Sequence, residues 1–262
     1  KNQKKKDDDD LVRAIIDKSS PEMLAHCNRH GSPAMYYAIQ RRELALVEFL
    51  ADRLGDEFLL STSDADGASP FHWAASVGSE PIFSYLRSRL GREMCSAKDG
   101  KNATPLHRVF DNEEMIEQNL DDVLAIVKIL IKDLGADGCA CRTLTGLTAL
   151  QFAVIRKQPS IATLLLEATK SIPAAVGQHR LLNEQPVLDD RFPYWFADSA
   201  LHYAIQYKFR PLAKAIIDVL SPEQCSLAQP DCTPLYSAIR FNRKIVFEKL
   251  FEKLKHNPAY LN

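Results

Sequence analysis

The stretch Gly67-Ala68-Ser69-Pro70-Phe71-His72-Trp73-Ala74-Ala75 recurs in thinner copies along the chain, and repetition at a near-constant period limits the architecture more than any single residue does. Copies stand at Lys101–His107, Gly146–Ala153, Asp198–Ala204 and Asp231–Ala238, with a more worn one at Gly31–Ala38. A second pattern travels with the first. Ala38 precedes Leu46–Leu50 by the offset that separates Ala74 from Ile82–Leu86, and similar offsets link Ala153 to Thr163–Leu165, Ala204 to Lys214–Ile216 and Ala238 to Glu248–Leu250.

Each unit reads as a tight turn, a short inner helix, a second turn and an outer helix. Proline at the first helical position has no N–H to leave unsatisfied, a preceding Ser or Thr caps the exposed amides, and small alanines let neighbouring inner helices approach closely. One such unit cannot bury its own apolar face, so the units must stack. Where Leu11–Asp17 matches Leu212–Asp218, the next residues also agree, Ser20-Pro21-Glu22 against Ser221-Pro222-Glu223. The earlier stretch is therefore expected to be an outer helix, and Ser-Pro-Glu predicts an extra helical turn after it.

Thr104-Pro105-Leu106-His107, and its variants in the other copies, resembles the Thr-Pro-Leu-His signature of the ankyrin repeat. The resemblance covers Leu11 to Leu250. It implies an all-α ankyrin-repeat solenoid of stacked helix-turn-helix units with finger loops, elongated and curved, holding about six repeats and a partial one in front. On this reading residues 1–10, a Lys run followed by an Asp run, form a solvated, mobile terminus, and 11–262 form one repeat domain. Asn257-Pro258 restarts the helical-turn pattern at the far end, so the chain is expected to be a segment of a longer protein.

A net charge of −1 supplies no general basic field, which argues against tight nucleic-acid binding driven by counterion release. No apolar run reaches the roughly 18 residues a membrane span requires, and no targeting segment is visible. Of the six cysteines, Cys27, Cys95 and Cys225 fall at similar places between an outer helix and the next turn, which suggests small packing groups in a reducing, cytoplasmic compartment. Cys139 and Cys141 invite a metal, but a tetrahedral zinc site needs four ligands and no second close pair stands nearby, so the reading is no metal and no cofactor.

Two insertions interrupt the period. Residues 111–122 are acidic and read either as a solvated helical turn or as a docking patch for a basic partner. The longer one, 170–197, carries Phe192-Pro193-Tyr194-Trp195-Phe196, which either plugs a gap between repeats or exposes Trp195 and Phe196 as an aromatic anchor.

His72, His107 and His202 occupy one repeat position, whereas catalysis needs a single constellation. The family resemblance implies that they hold turns together by hydrogen bonds to backbone. No phosphate loop, nucleophile elbow or metalloprotease motif appears, and the chain reads as no enzyme. The resemblance further implies that partners touch the finger tips and two inner-helix positions just after the motif alanines. In this chain these are Gln40 and Arg41, Ser76 and Val77, Asp111 and Asn112, Ile155 and Arg156, Gln206 and Tyr207, and Arg240 and Phe241. Arg and aromatic side chains are frequent at the energetic centres of interfaces. Tyr37, Trp73, Phe152 and Tyr203, one position before the alanine, read as packing first. The expected function is non-catalytic recognition of a protein or peptide, with a targeting segment of a larger enzyme, or a host-directed bacterial effector module, as alternatives.

Overall fold

The computed structural model describes residues 11–61, 63–139, 141–170, 200–220, 222, 225 and 233–255. Helices α1 (residues 11–18), α2 (Pro21–Ala25), α3 (Ala34–Gln40), α4 (Leu44–Leu54), α5 (Asp56–Ser61), α6 (Pro70–Ser76), α7 (Glu80–Leu90), α8 (Pro105–Arg108), α9 (Glu113–Gln118) and α10 (Leu120–Cys139) are followed by α11 (Ala149–Ile155), α12 (Pro159–Lys170), α13 (Ala200–Gln206), α14 (Arg210–Val219), α15 (Pro234–Arg240) and α16 (Lys244–Leu254). Among the described residues the extended structure amounts to one bridge, Arg142 to Thr148. The chain divides into two compact units, Lys1–Asp133 and Leu134–Asn262. The boundary lies inside α10, next to Gly135, whose φ of 61° breaks the helix.

Inner helices α3, α6 and α8 pack side by side in the first unit, and α11, α13 and α15 do so in the second. Of these, α3, α6, α11, α13 and α15 are each backed by their own outer helix. The core follows the motif. Ala38, Ala74, Ala153, Ala204 and Ala238 are buried, and so are Leu46, Val47, Ile82, Phe83, Leu165, Ile216 and Leu250 on the outer helices. The Ser-Pro-Glu signal makes the turn it predicts: Ser20 Oγ accepts from Met23 N–H at 3.3 Å and starts α2. In the next two repeats α5 and the 3-10 turn Arg92–Ser96 take the same place after the outer helix.

Leu235 differs from the other residues at its motif position. Its equivalents Phe71, Leu106, Leu150 and Leu201 are buried, whereas Leu235 is half-exposed and its neighbours Tyr236 and Ile239 are 53 % and 61 % exposed. No described helix pair packs on the far side of α15, and that is where the preceding inner helices receive their cover.

Two of the motif histidines, His72 and His107, build their turns. His72 Nδ1 accepts from Ser69 N–H at 3.1 Å and lies 2.8 Å from Ser69 Oγ, while Nε2 faces Ala103 C=O of the following repeat at 3.0 Å. These partners fix the tautomer with the proton on Nε2. His107 repeats the box with Thr104 N–H at 3.2 Å. In the 146–153 copy the histidine is replaced, and Gln151 Oε1 accepts from Thr148 N–H at 2.9 Å, which shows that the position requires an acceptor and not an imidazole. Burial pushes the His72 pKa down; the carbonyl of Ala103 and the charge of Asp99 oppose this without reversing it. A histidine held neutral in the fold and free to charge when unfolded contributes stability above its ordinary pKa, near 6.5, and that contribution is lost as pH falls through the lower folded value. His72→Ala is expected to cost about 1 to 3 kcal/mol at neutral pH, since buried turn amides lose their acceptor. It should also flatten the loss of stability below pH 6.5; parallel melting profiles for variant and wild type would remove His72 from the turn.

Candidate functional site

The finger loops share one geometry. In the first three, Asn28, Asp64 and Asp99 each use a side-chain Oδ1 to accept two backbone N–H groups, two and four residues on: His30 and Ser32, Asp66 and Ala68, Lys101 and Ala103, at 2.8 to 3.2 Å. The residue three places on stands at positive φ in every case, Gly31 at 73°, Gly67 at 76° and Asn102 at 57°. Asn102 takes the conformation because asparagine tolerates it better than most side chains. Successive fingers are stitched by backbone bonds, Ala65 N–H to Gly31 C=O at 3.0 Å and Gly100 N–H to Asp66 C=O at 2.7 Å. A side chain at Gly31 would meet Ala65 Cβ at 2.4 Å.

The same finger residues tie each loop to its inner helix. Asn28 Nδ2 donates to the Tyr37 hydroxyl at 2.9 Å, Trp73 Nε1 donates to Asp64 Oδ2 at 2.9 Å, and Arg108 Nε donates to Asp99 Oδ2 at 2.6 Å. The interval is nine residues each time. This regular spacing was the available sequence signal for these loop-organising residues; the motif alone does not reveal them. It also gives the position before the motif alanine its role: Trp73 is buried by this bond and by edge-on contact with Tyr36, centroids 5.5 Å apart, while Tyr37 remains exposed.

Between the fingers and inner helices of the first unit lies a groove of about 180 Å³ bounded by Tyr36, Gln40, Asp64, Asp66, Ser76 and Asp111. Arg108 crosses its floor, bonded to Asp99 and, at 3.1 Å, to Asp111. Withdrawal from water is the first reason that the Asp111 carboxyl titrates above the ordinary range, and the nearby Asp99 charge adds to it. Asp66 pairs with Lys101 at 2.9 Å, both well exposed. The groove is thus walled by three carboxylates and answered from within by one guanidinium.

Three of the expected contact positions, Gln40, Ser76 and Asp111, line this groove. Arg41 is exposed at the end of α3, with Glu43 at 2.9 Å. Val77 is different. It is buried, 4 % exposed, because the insertion folds against that turn: Asn112 caps α9 through Met115 N–H, Ile116 is buried, and Gly78 approaches Val123 so closely that a Cβ would stand 2.7 Å from it. Arg42 completes the seal, bonding Asp122 at 2.9 Å and Val77 C=O at 3.2 Å. A side chain held in this way presents nothing to a partner, so Val77 is corrected from a contact residue to a packing residue.

In the second unit Gln206, Arg156 and Arg240 are exposed and Ile155, Tyr207 and Phe241 are half-buried. Tyr207 stacks with Tyr203 at 6.3 Å and has Lys157 over its ring at 5.8 Å, and Arg240 lies over Phe241 at 5.6 Å. Trp195 and Phe196, with the rest of 170–197, lie outside the described residues. Among the cysteines, Cys27, Cys95 and Cys139 carry free thiols. Burial first, and Asp133 for Cys95, pushes Cys95 and Cys139 up to about 12, so neither is a thiolate nucleophile at neutral pH. No helix among the described residues is long and apolar enough to cross a membrane.

The chain is similar to a solved structure, the ankyrin repeat domain of Bcl-3, described as a unique member of the IkappaB protein family, with a TM-score of 0.61 and 19 % identity over 87 % of this chain and 85 % of that one. At this identity the likeness shows the fold, that of an ankyrin repeat domain. No protein-family model matches the sequence, and no curated protein does so either.

Proposed function

We propose that this chain is a non-catalytic protein-recognition module and that the acidic groove of its first unit receives a Lys or Arg side chain from an extended segment of a partner. One observation carries the reading. Gln40, Ser76 and Asp111, far apart in sequence, converge on a groove whose outer wall is the finger carboxylates Asp64 and Asp66. A basic side chain entering there meets the carboxylates of Asp64, Asp66 and Asp111, the last two shared with Lys101 and Arg108, and the half-buried ring of Tyr36 offers an apolar face to its methylene stem. The repeated bonds within and between fingers preform the walls, which lowers the ordering cost of binding.

Gln206, Tyr207, Arg240 and Phe241 form a separate candidate patch on the second unit, and Trp195 and Phe196 remain a candidate anchor. The reducing cytoplasm suits the free thiols.

An array of basic, neutral and acidic peptides tests the groove. Basic peptides are expected to bind preferentially, and Ser76→Arg with Asp66→Lys, which fills the groove and reverses its charge, is expected to weaken them by about thirtyfold or more while the melting temperature changes little. Equal binding by wild type and double variant would exclude the groove and turn attention to the patch on the second unit.

A further inference from the structure

The overall charge of −1 conceals an uneven distribution. In the second unit, three successive turns between inner and outer helix carry Arg156 and Lys157, Lys208 and Arg210, and Arg243 and Lys244. The segments 149–166, 200–217 and 234–247 that contain these turns hold no Asp or Glu. The inner helices α11, α13 and α15 pack in that order, so the turns stand next to one another. Lys157 over the Tyr207 ring links the first to the second, and Arg243 Nε bonded to Ile205 C=O at 3.0 Å links the third to the second.

Between the last two turns is a cavity of about 320 Å³. Ile205 and Val246 are on its apolar floor, and Lys208, Arg210, Arg243 and Lys244 are at its rim. Among the described residues no carboxylate lines it; Glu248, exposed, stands 4.0 Å from Lys244. The first turn of α16 forms part of the wall, and its N-cap residue, Arg243, makes no side-chain cap bond. An anion in the cavity therefore meets both the side-chain cations and amides that the helix cannot satisfy.

We propose that this cavity is a binding site for an anion with clustered phosphate groups. Four like charges around one concavity repel each other, and a multiply charged anion relieves that repulsion as it binds. A single carboxylate would answer only one of them. Arg243 acts as a positioning residue, since its bonds to Ile205 and to Gln206 C=O at 3.4 Å hold the two turns at the width of the cavity. The same chemistry is offered by a free polyphosphate and by a phosphoinositide headgroup on a membrane. This proposal is independent of the groove on the first unit.

The test is calorimetric titration of the whole chain with inorganic tripolyphosphate in about 0.1 M salt, where exposed charges further apart than about 10 Å are screened from each other. Flotation with phosphatidylcholine vesicles, with and without phosphatidylinositol bisphosphate, is run in parallel. Saturable one-to-one binding of tripolyphosphate identifies a soluble ligand, and binding confined to the phosphoinositide vesicles identifies the headgroup. In either arm Lys208→Ala with Lys244→Ala, both exposed and away from the core, should weaken binding by about tenfold, and Lys128→Ala in the first unit should change nothing. Absence of binding in both arms overturns the proposal. So does binding that the double variant retains, or a single-stranded RNA that binds more tightly than either probe and spans all three turns.

Discussion

Replacing Phe71 with alanine is expected to lower the stability of the Lys1–Asp133 unit by about 3 to 5 kcal/mol, the range found when a large buried side chain is deleted and the site cannot collapse. Phe71 has no exposed surface, and its ring meets Phe83 of the outer helix edge-on with centroids 5.5 Å apart. The pair joins α6 to α7 at the middle of the unit, with further repeats packed on both sides, so relaxation has no free direction. Trp73 lies two residues along the same helix and reports the transition by its fluorescence once Trp195→Phe silences the other tryptophan. A drop in melting temperature of about 10 °C or more is expected. A change below about 1 kcal/mol would mean that Phe71 does not sit in the core.

Asp99→Ala is expected to cost about 3 kcal/mol at neutral pH, close to what is seen when one member of a buried ion pair is removed. Its side chain is fully buried, accepts from Lys101 and Ala103 N–H and pairs with Arg108, whose own side chain is mostly covered. Alanine would leave two turn amides and a guanidinium without this acceptor. Burial alone would raise the Asp99 pKa, but the two amides and Arg108 outweigh it and hold the carboxyl below its ordinary value of 3.8. The sign follows from that. A carboxylate depressed in the fold contributes stability fully above the unfolded pKa and loses it as pH falls through the folded one, so this contribution should fade from about pH 4 downward. Asp99→Asn keeps an acceptor oxygen for the turn and removes the titration. Wild type and Asp99→Asn should therefore converge in stability as pH falls from 4 to 2; curves that stay parallel over that interval would show that Asp99 does not carry the acid response.

The turn role of His72 and His107 was implied by the family resemblance, whereas position in the repeat, read from sequence, determined the helix pairs and the buried alanines, because proline and a capping hydroxyl are local instructions that act within one turn of chain. It also placed the short helical turn after the outer helix, for the same reason. What tertiary structure decided was which of the repeated positions stay open. Val77 and Ser76 are neighbours in one motif, yet Ser76 lines the groove and Val77 is sealed by an insertion whose packing no period predicts. Leu235 carries the same signal as Leu106 but lacks a described neighbour to cover it. The finger carboxylates were visible only as polar loop residues. Their reach to Trp73 and Arg108, and their convergence with Gln40 and Asp111, depend on side chains from separate repeats meeting across space, a long-range relation that local propensity does not encode.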